Sequence, residues 1–180
     1  MSPLPGQIPL FPAALAIPLR MLPLAPMSLA LTAFSRSIAR RHPGLFRRLG
    51  DYDRTRFVLD PTDLPFVIHL EPGGGTPRVS LARGGGDGAA RIAGPLAALL
   101  GLVHGAFDGD ALFFSRDLVI EGDTSAALAL RNAIDDSELD LSQEMTFFCG
   151  PMKGPLQRLF AQIEKHSGVS LTRAEENGAW

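Results

Sequence analysis

FDGDALFFSRDLVIEGDTSAALALRN, residues 107–132, is the stretch that decides how the rest of the chain is organised. Two short apolar runs, 111–114 and 118–120, stand on either side of the charged pair Arg116–Asp117. Asp108-Gly109 precedes them and Glu121-Gly122-Asp123 follows; such pairs mark turns, because glycine accepts the positive φ that a tight turn needs. Asp123 or Thr124 then caps a helix, a short side-chain oxygen satisfying the N–H groups that a first turn leaves free. Past the cap, Ala127, Leu128, Leu130, Arg131 and Ile134 give an apolar helical stripe broken by one charge. The unit reads turn, strand, bend, strand, capped amphipathic helix. None of it is catalytic apparatus.

Upstream, three more strands are expected. Residues 56–60 end at Pro61; 66–70 lie between Pro65 and Glu71-Pro72; 78–83 alternate polar and apolar positions as a half-buried strand does. Glycine-rich connections this short indicate an antiparallel meander, since parallel strands need long crossovers. Gly73-Gly74-Gly75 and the cluster 84–88 are read as hairpin turns. A phosphate cradle would have to feed a helix N-terminus, with a Lys-Ser or Lys-Thr to close a P-loop, and neither cluster does. Residues 89–93 are a further strand. Gly94-Pro95 then opens a helix, Leu96–His104, LAALLGLVH. Apolar almost all round, it is either deeply buried or lines an apolar cavity.

Seven prolines within the first 26 residues predict an irregular or extended arm over the first 20 or so. No basic region precedes an apolar core as in a secretory signal, and Arg20 and the prolines interrupt any spanning helix. A helix follows on Leu24, Met27, Leu31, Phe34 and Ile38 at three-four spacing, ended by Pro43. It either packs this stripe on the core with its arginines in water, or lies on anionic lipid through Leu31, Phe34, Arg36, Ile38, Arg40 and Arg41. Residues 45–49 form a short amphipathic turn. Charge is uneven: residues 1–56 hold eight arginines against Asp51 and Asp53, a local +6, while the remainder carries −8 and the whole chain −2. A basic arm suits a membrane surface or its own acidic body. Without aromatic residues among the arginines, nucleic acid is not an expected partner.

Composition excludes several classes. Of 180 residues 46% are hydrophobic, and 11 of the 13 aromatics are Phe, which suits an apolar interior. A lone Cys149 rules out an internal disulfide and fits a reducing compartment. His42, His69, His104 and His166 show no metal-ligand spacing, and His69, inside an apolar strand, reads as a hydrogen-bonded structural histidine. Ser115 has no nucleophile elbow around it, and the acidic cluster 135–140 lacks the spacing and glycine of a calcium loop. Arg116–Asp117 is a structural ion pair or a polar mouth to a cavity. No catalytic residue, metal or cofactor is expected. A C-terminal helix over 155–166 and the apolar patch Met145, Phe147, Phe148 and Met152 are either core or cover.

The order strand 91–94, apolar helix, Asp108-Gly109, then LVIEGD at 118–123 leading into a helix resembles the sterol carrier protein type 2 domain. DALFFSRDL at 110–118, Gly122-Asp123 and Leu130-Arg131-Asn132 are similar to its bacterial branch, an accessory lipid-binding factor of oxygen-independent ubiquinone biosynthesis. The resemblance runs over residues 45–141. It implies an α/β (α+β) fold, in which an antiparallel sheet of about five strands lies under helices and encloses an apolar tunnel. Leu96, Leu99, Leu100, Val103, Phe107, Phe113, Phe114 and Leu128 are the candidate lipid contacts, each equally readable as ordinary core. The domain expectation is an arm and basic helix over 1–43, the lipid-binding domain over 44–141 and a packing tail over 142–180. The resemblance further implies a non-catalytic, cytoplasmic carrier, peripheral at the inner face of the membrane. It would present an isoprenoid quinone precursor or other polyprenyl lipid to ubiquinone-biosynthesis hydroxylases. A general phospholipid or fatty-acyl carrier, or a protein-docking module with a filled core, are the alternatives.

Overall fold

A computed structural model describes residues 10–104, 118–137, 139, 144, 147 and 148. Helices α1 (Ala13–Leu19), α2 (Leu24–Arg41) and α3 (Pro43–Arg47) lead into β1 (Phe57–Pro61), β2 (Val67–Glu71), β3 (Arg78–Ala82) and β4 (Ala90–Gly94). Then come α4 (Leu96–His104), β5 (Val119–Gly122) and α5 (Thr124–Asp135). The five strands form one sheet in the order β3-β2-β1-β4-β5. The α/β class and the five strands are those expected.

Two expectations are corrected. The arm contains a helix, α1, where an irregular stretch was expected. Ala-Ala-Leu-Ala-Ile between Pro12 and Pro18 is strongly helix-forming, and Pro12, with φ −59°, leads the chain in. The sheet is mixed. β1–β2, β2–β3 and β4–β5 are antiparallel, but β1 and β4 run parallel, Phe57 opposite Ala90 and Pro61 opposite Gly94. Only the 73–75 cluster closes a hairpin, between β2 and β3. Residues 84–88 instead carry the chain across one face of the sheet to the far side of β1. Their glycines let that crossing lie flat: a Cβ on Gly88 would sit 2.7 Å from Val58 Cγ2, and one on Gly86 would overlap the His69 ring.

Strand alternation sorts the side chains of the sheet. Phe57 and Leu59, Ile68 and Leu70, Val79 and Leu81, Ala90 and Ile92, and Ile120 share one face by register. Asp60, His69, Glu71, Arg78, Ser80, Arg91 and Glu121 share the other. Helices α3, α4 and α5 cover the apolar face: Phe57, Ala90 and Ile92 join Leu45, Phe46, Leu49, Ala98, Leu99, Leu102, Ala126, Ala127 and Leu130 in one core cluster. On the polar face Arg91 pairs with Asp60 on β1 and Glu121 on β5. The Asp60 hydrogen bond first, and the Glu121 one second, raise the Arg91 pKa.

Asp123 caps α5, its Oδ1 accepting from Ser125 N at 2.9 Å and Ala126 N at 3.1 Å. Gly122 before it has φ +83°, and a Cβ there would come within 2.3 Å of the Ala89 carbonyl oxygen. The Asp123 N–H donates to that same oxygen at 2.7 Å. Glycine at 122 is therefore required twice over, by φ and by space.

The outer edge of β3 is closed by side chains of α2. Thr32 Oγ1 accepts from Val79 N at 3.0 Å and donates to Val79 O at 2.8 Å. One turn back, Ser28 Oγ accepts from Leu81 N at 2.9 Å while donating to Leu24 O at 2.8 Å. One turn forward, Arg36 Nε donates to Pro77 O at 3.2 Å. Four helical residues advance about 6.0 Å and two strand residues about 6.7 Å, so the helix steps along the edge, running opposite to β3. A sheet edge left bare is a pairing hazard, and here a helix covers it. Thr32→Val keeps the shape and removes both bonds. It is expected to cost about 1–3 kcal/mol in urea unfolding, the range for stranding partly buried backbone groups. A loss under about 0.3 kcal/mol would show that this edge contact does not hold α2.

Candidate functional site

Among the described residues, helices cover the apolar face of the sheet unevenly. Helix α2 packs along β3, while α4 and α5 pack on β1, β4 and β5. Strand β2 lies under the seam between these two groups. Phe57 and Ile92 are sealed at 0% and 1% exposure, yet Leu59, Ile68, Leu70 and Ile120 on the same face stay half-buried. Packed interiors fill such positions completely. Here Leu59, Ile68 and Leu70, on two neighbouring strands, form a partly open floor without a charged group among them, while Ile120 lies on the far edge strand beyond sealed Ile92. A floor of this kind holds a hydrocarbon chain by area: burying about 300 Å2 at roughly 25 cal/mol per Å2 gains about 7 kcal/mol before association costs.

The candidate lipid contacts divide on this geometry. Leu99 is buried in the closed core, and Leu96 and Leu100 are half-buried one turn apart on α4. Leu128 is 52% exposed on α5, whose buried side is Ala126, Ala127, Leu130 and Ala133. It therefore stands outside the interior to which its place in the helical stripe would assign it. The side chain of Val103, together with Phe107, Phe113, Phe114 and the Arg116–Asp117 pair, lies outside the described residues. So do strand 111–114 and helix 155–166. The floor residues Leu59, Ile68 and Leu70 escape a sequence reading because each lies in an ordinary strand; the period-two spacing of Ile68 and Leu70 was their one signal.

The six membrane candidates also part. Ile38, 7% exposed, packs into the domain. Leu31 and Phe34 are half-buried. Phe34 meets Phe148 edge-to-face at 5.5 Å between ring centroids. Arg41 donates from Nε to Glu144 Oε2 at 2.8 Å and lies 5.3 Å over the Phe147 ring. His42 Nε2 is 3.0 Å from Glu144 Oε1 on the carboxylate's other side. Only Arg36 and Arg40 of the six point cations outward without a carboxylate partner among the described residues. The large exposed apolar side chains of this region are others: Ile17, Met21, Leu22 and Leu29.

Little on the polar face suggests chemistry. His69, expected to be hydrogen-bonded, has a buried Nε2 with no hydrogen-bond partner among the described residues, and its Nε2 edge lies against Gly86. Among the described residues no three His, Cys, Asp or Glu side chains gather into a group able to hold a metal. No described helix is long and apolar enough to cross a membrane. Asp63 ties the arm to the site, its carboxylate accepting from Phe11 N at 2.8 Å and from Leu96 N, at the start of α4, at 2.9 Å.

Comparison with known proteins agrees with the geometry. The model of the SCP-2 sterol transfer family matches residues 39–135. Among solved structures, the UbiJ-SCP2 ubiquinone synthesis protein superposes with a TM-score of 0.53 at 16% identity, covering 65% of this chain and 96% of its own. At that identity the likeness speaks for the fold alone. Sterol carrier protein 2 from Yarrowia lipolytica gives 0.43 at 14% identity, over 62% of this chain and 92% of its own. No curated protein matches the sequence significantly.

Filling the floor separates it from the exposed candidate. Leu70→Trp is expected to weaken uptake of a fluorescent fatty acid at least about tenfold, the loss of roughly 1.4 kcal/mol of apolar contact. Leu128→Ser should leave uptake unchanged. The reverse ranking, read by fluorescence titration, would place the ligand on the outer side of α5.

Proposed function

The chain belongs to the SCP-2 sterol transfer family, whose domains carry lipids, and we propose that it is a non-catalytic carrier that holds its lipid on the floor formed by Leu59, Ile68 and Leu70. One observation carries this reading: inward-facing aliphatic side chains that remain half-buried beside a sealed core. Leu96, Leu100, Val103, Phe107, Phe113 and Phe114 are the further candidates for lining the chain's path. A long apolar ligand needs many plain hydrophobes and few polar groups. The ligand proposed is a ubiquinone precursor or another polyprenyl lipid, presented to ubiquinone-biosynthesis hydroxylases. Motif 110–118 with Gly122-Asp123 supports it.

Loading and unloading are proposed to occur on a membrane, the protein standing peripherally at the cytoplasmic face. Exposed Ile17, Met21, Leu22 and Leu29 lie on the arm and α2, in the part of the chain that carries the surplus of arginine. Apolar side chains beside cations suit the boundary of an anionic bilayer. In flotation with vesicles containing phosphatidylglycerol, the wild type should rise with them at low salt. The triple variant Met21→Ser, Leu22→Ser, Leu29→Ser should remain at the bottom. Equal flotation of both would remove this surface from the reading.

Native mass spectrometry of detergent-free protein, followed by solvent extraction, tests the ligand. A stoichiometric prenyl quinone or prenylated precursor is the expected result. Mixed phospholipids would keep the carrier and replace the quinone with a general lipid. Empty protein that also refuses a fluorescent lipid would leave a docking module with a filled core.

A further inference from the structure

A second recess lies away from the floor, on the outer side of α2. It is a cavity of about 440 Å3 lined by Ala33, Arg36 and Arg40 of α2, by Gly75 and Thr76 of the β2–β3 connection, and by Phe148. Arg36 and Arg40 are one helical turn apart. The Arg36 Nε is spent on Pro77 O, which anchors that guanidinium at the rim and leaves its terminal nitrogens without a partner among the described residues. Arg40 makes no ion pair among the described residues. Neighbouring Arg41 and His42 are already answered by Glu144, so the positive charge left over is concentrated at this recess. The Thr76 hydroxyl donates to Gly73 O at 2.9 Å. Ala33, one turn before Arg36 on the same helix, and the Phe148 ring complete the lining with apolar surface.

We infer that this recess is an anion site for the head of a small amphiphile, a phosphate or carboxylate held by Arg36 and Arg40 with its first carbons against Ala33 and Phe148. Two guanidiniums on one side match an oxyanion, whose oxygens accept several charge-assisted hydrogen bonds. The apolar wall distinguishes the site from a bare basic patch. At about 440 Å3 the open recess has room for a head group and its first carbons. The site is independent of the floor and of bilayer contact, because a monomeric ligand should fill it.

Hexyl phosphate below its micelle concentration, hexanol and inorganic phosphate are titrated separately into the full chain labelled with 15N. Hexyl phosphate should shift the amides of Gly75 and Thr76 and the side-chain Nε signals of Arg36 and Arg40. Hexanol should need at least about tenfold more to do so, as losing a charged hydrogen-bond acceptor implies. Arg40→Gln, whose side chain bonds nothing among the described residues, should weaken hexyl phosphate about tenfold at an unchanged thermal midpoint. Phe148→Ala should weaken hexyl phosphate but not inorganic phosphate. Inorganic phosphate binding as tightly as hexyl phosphate would overturn the amphiphile. Unaltered binding by Arg40→Gln, or shifts confined to other residues, would overturn the site. Neither result bears on lipid recovered from the floor.

Discussion

The structure depends on how the free edge of β3 is closed. An exposed strand edge has N–H and C=O groups that another chain can pair with, and here side chains of α2 answer them instead. Ser28 and Thr32 face Leu81 and Val79, and Arg36 reaches Pro77. The match of helical and extended rise sets both the direction and the register of α2 along the edge. With α2 committed to β3, it does not close over the middle of the sheet. Helices α4 and α5 are committed to β1, β4 and β5 through the core around Phe57 and Ile92. Strand β2 is left under the seam, and the open floor follows from this division.

The same constraint fixes the outer surface of α2. Once Ser28, Thr32 and Arg36 are directed at the edge, Leu31, Phe34 and Ile38 turn toward the domain, while Leu29, Ala33 and Arg40 turn outward. One helix thus serves as an edge cover, one boundary of the seam and one wall of a cationic recess. Its amphipathicity has three sides rather than two. Ser28 and Thr32 are the third, a polar strip that faces protein rather than water.

That third side explains much of what sequence reading resolved and missed. The elements were legible because their signals are local: the Asp123 cap, the alternation of 78–83, the three-four spacing from Leu24 to Ile38. Gly122-Asp123 was legible too, because a positive φ and a cap leave few residue choices. The parallel pairing of β4 with β1 was not, since nothing in residues 84–88 distinguishes a hairpin from a flat crossing until Val58 and His69 are seen beneath them. Helix α1 was hidden by prolines that begin and end it. Leu128 stands exposed on α5 because helical periodicity gives a stripe but not its rim, where exposure depends on the neighbouring element. The floor could be named only after register showed which strand residues share a face and packing showed which of them stay open.

On the reading proposed above, the half-buried aliphatic floor of β1 and β2 holds the lipid. Intermolecular NOEs from a protonated fatty acid to a methyl-labelled, otherwise deuterated protein test it most directly. Contacts to methyls of Leu59, Ile68 and Leu70 are expected, with Val58, Val67 and Val119 of the opposite face silent. Contacts confined to Leu128, Leu29 and Ile17, or none to the floor at saturating ligand, would contradict it.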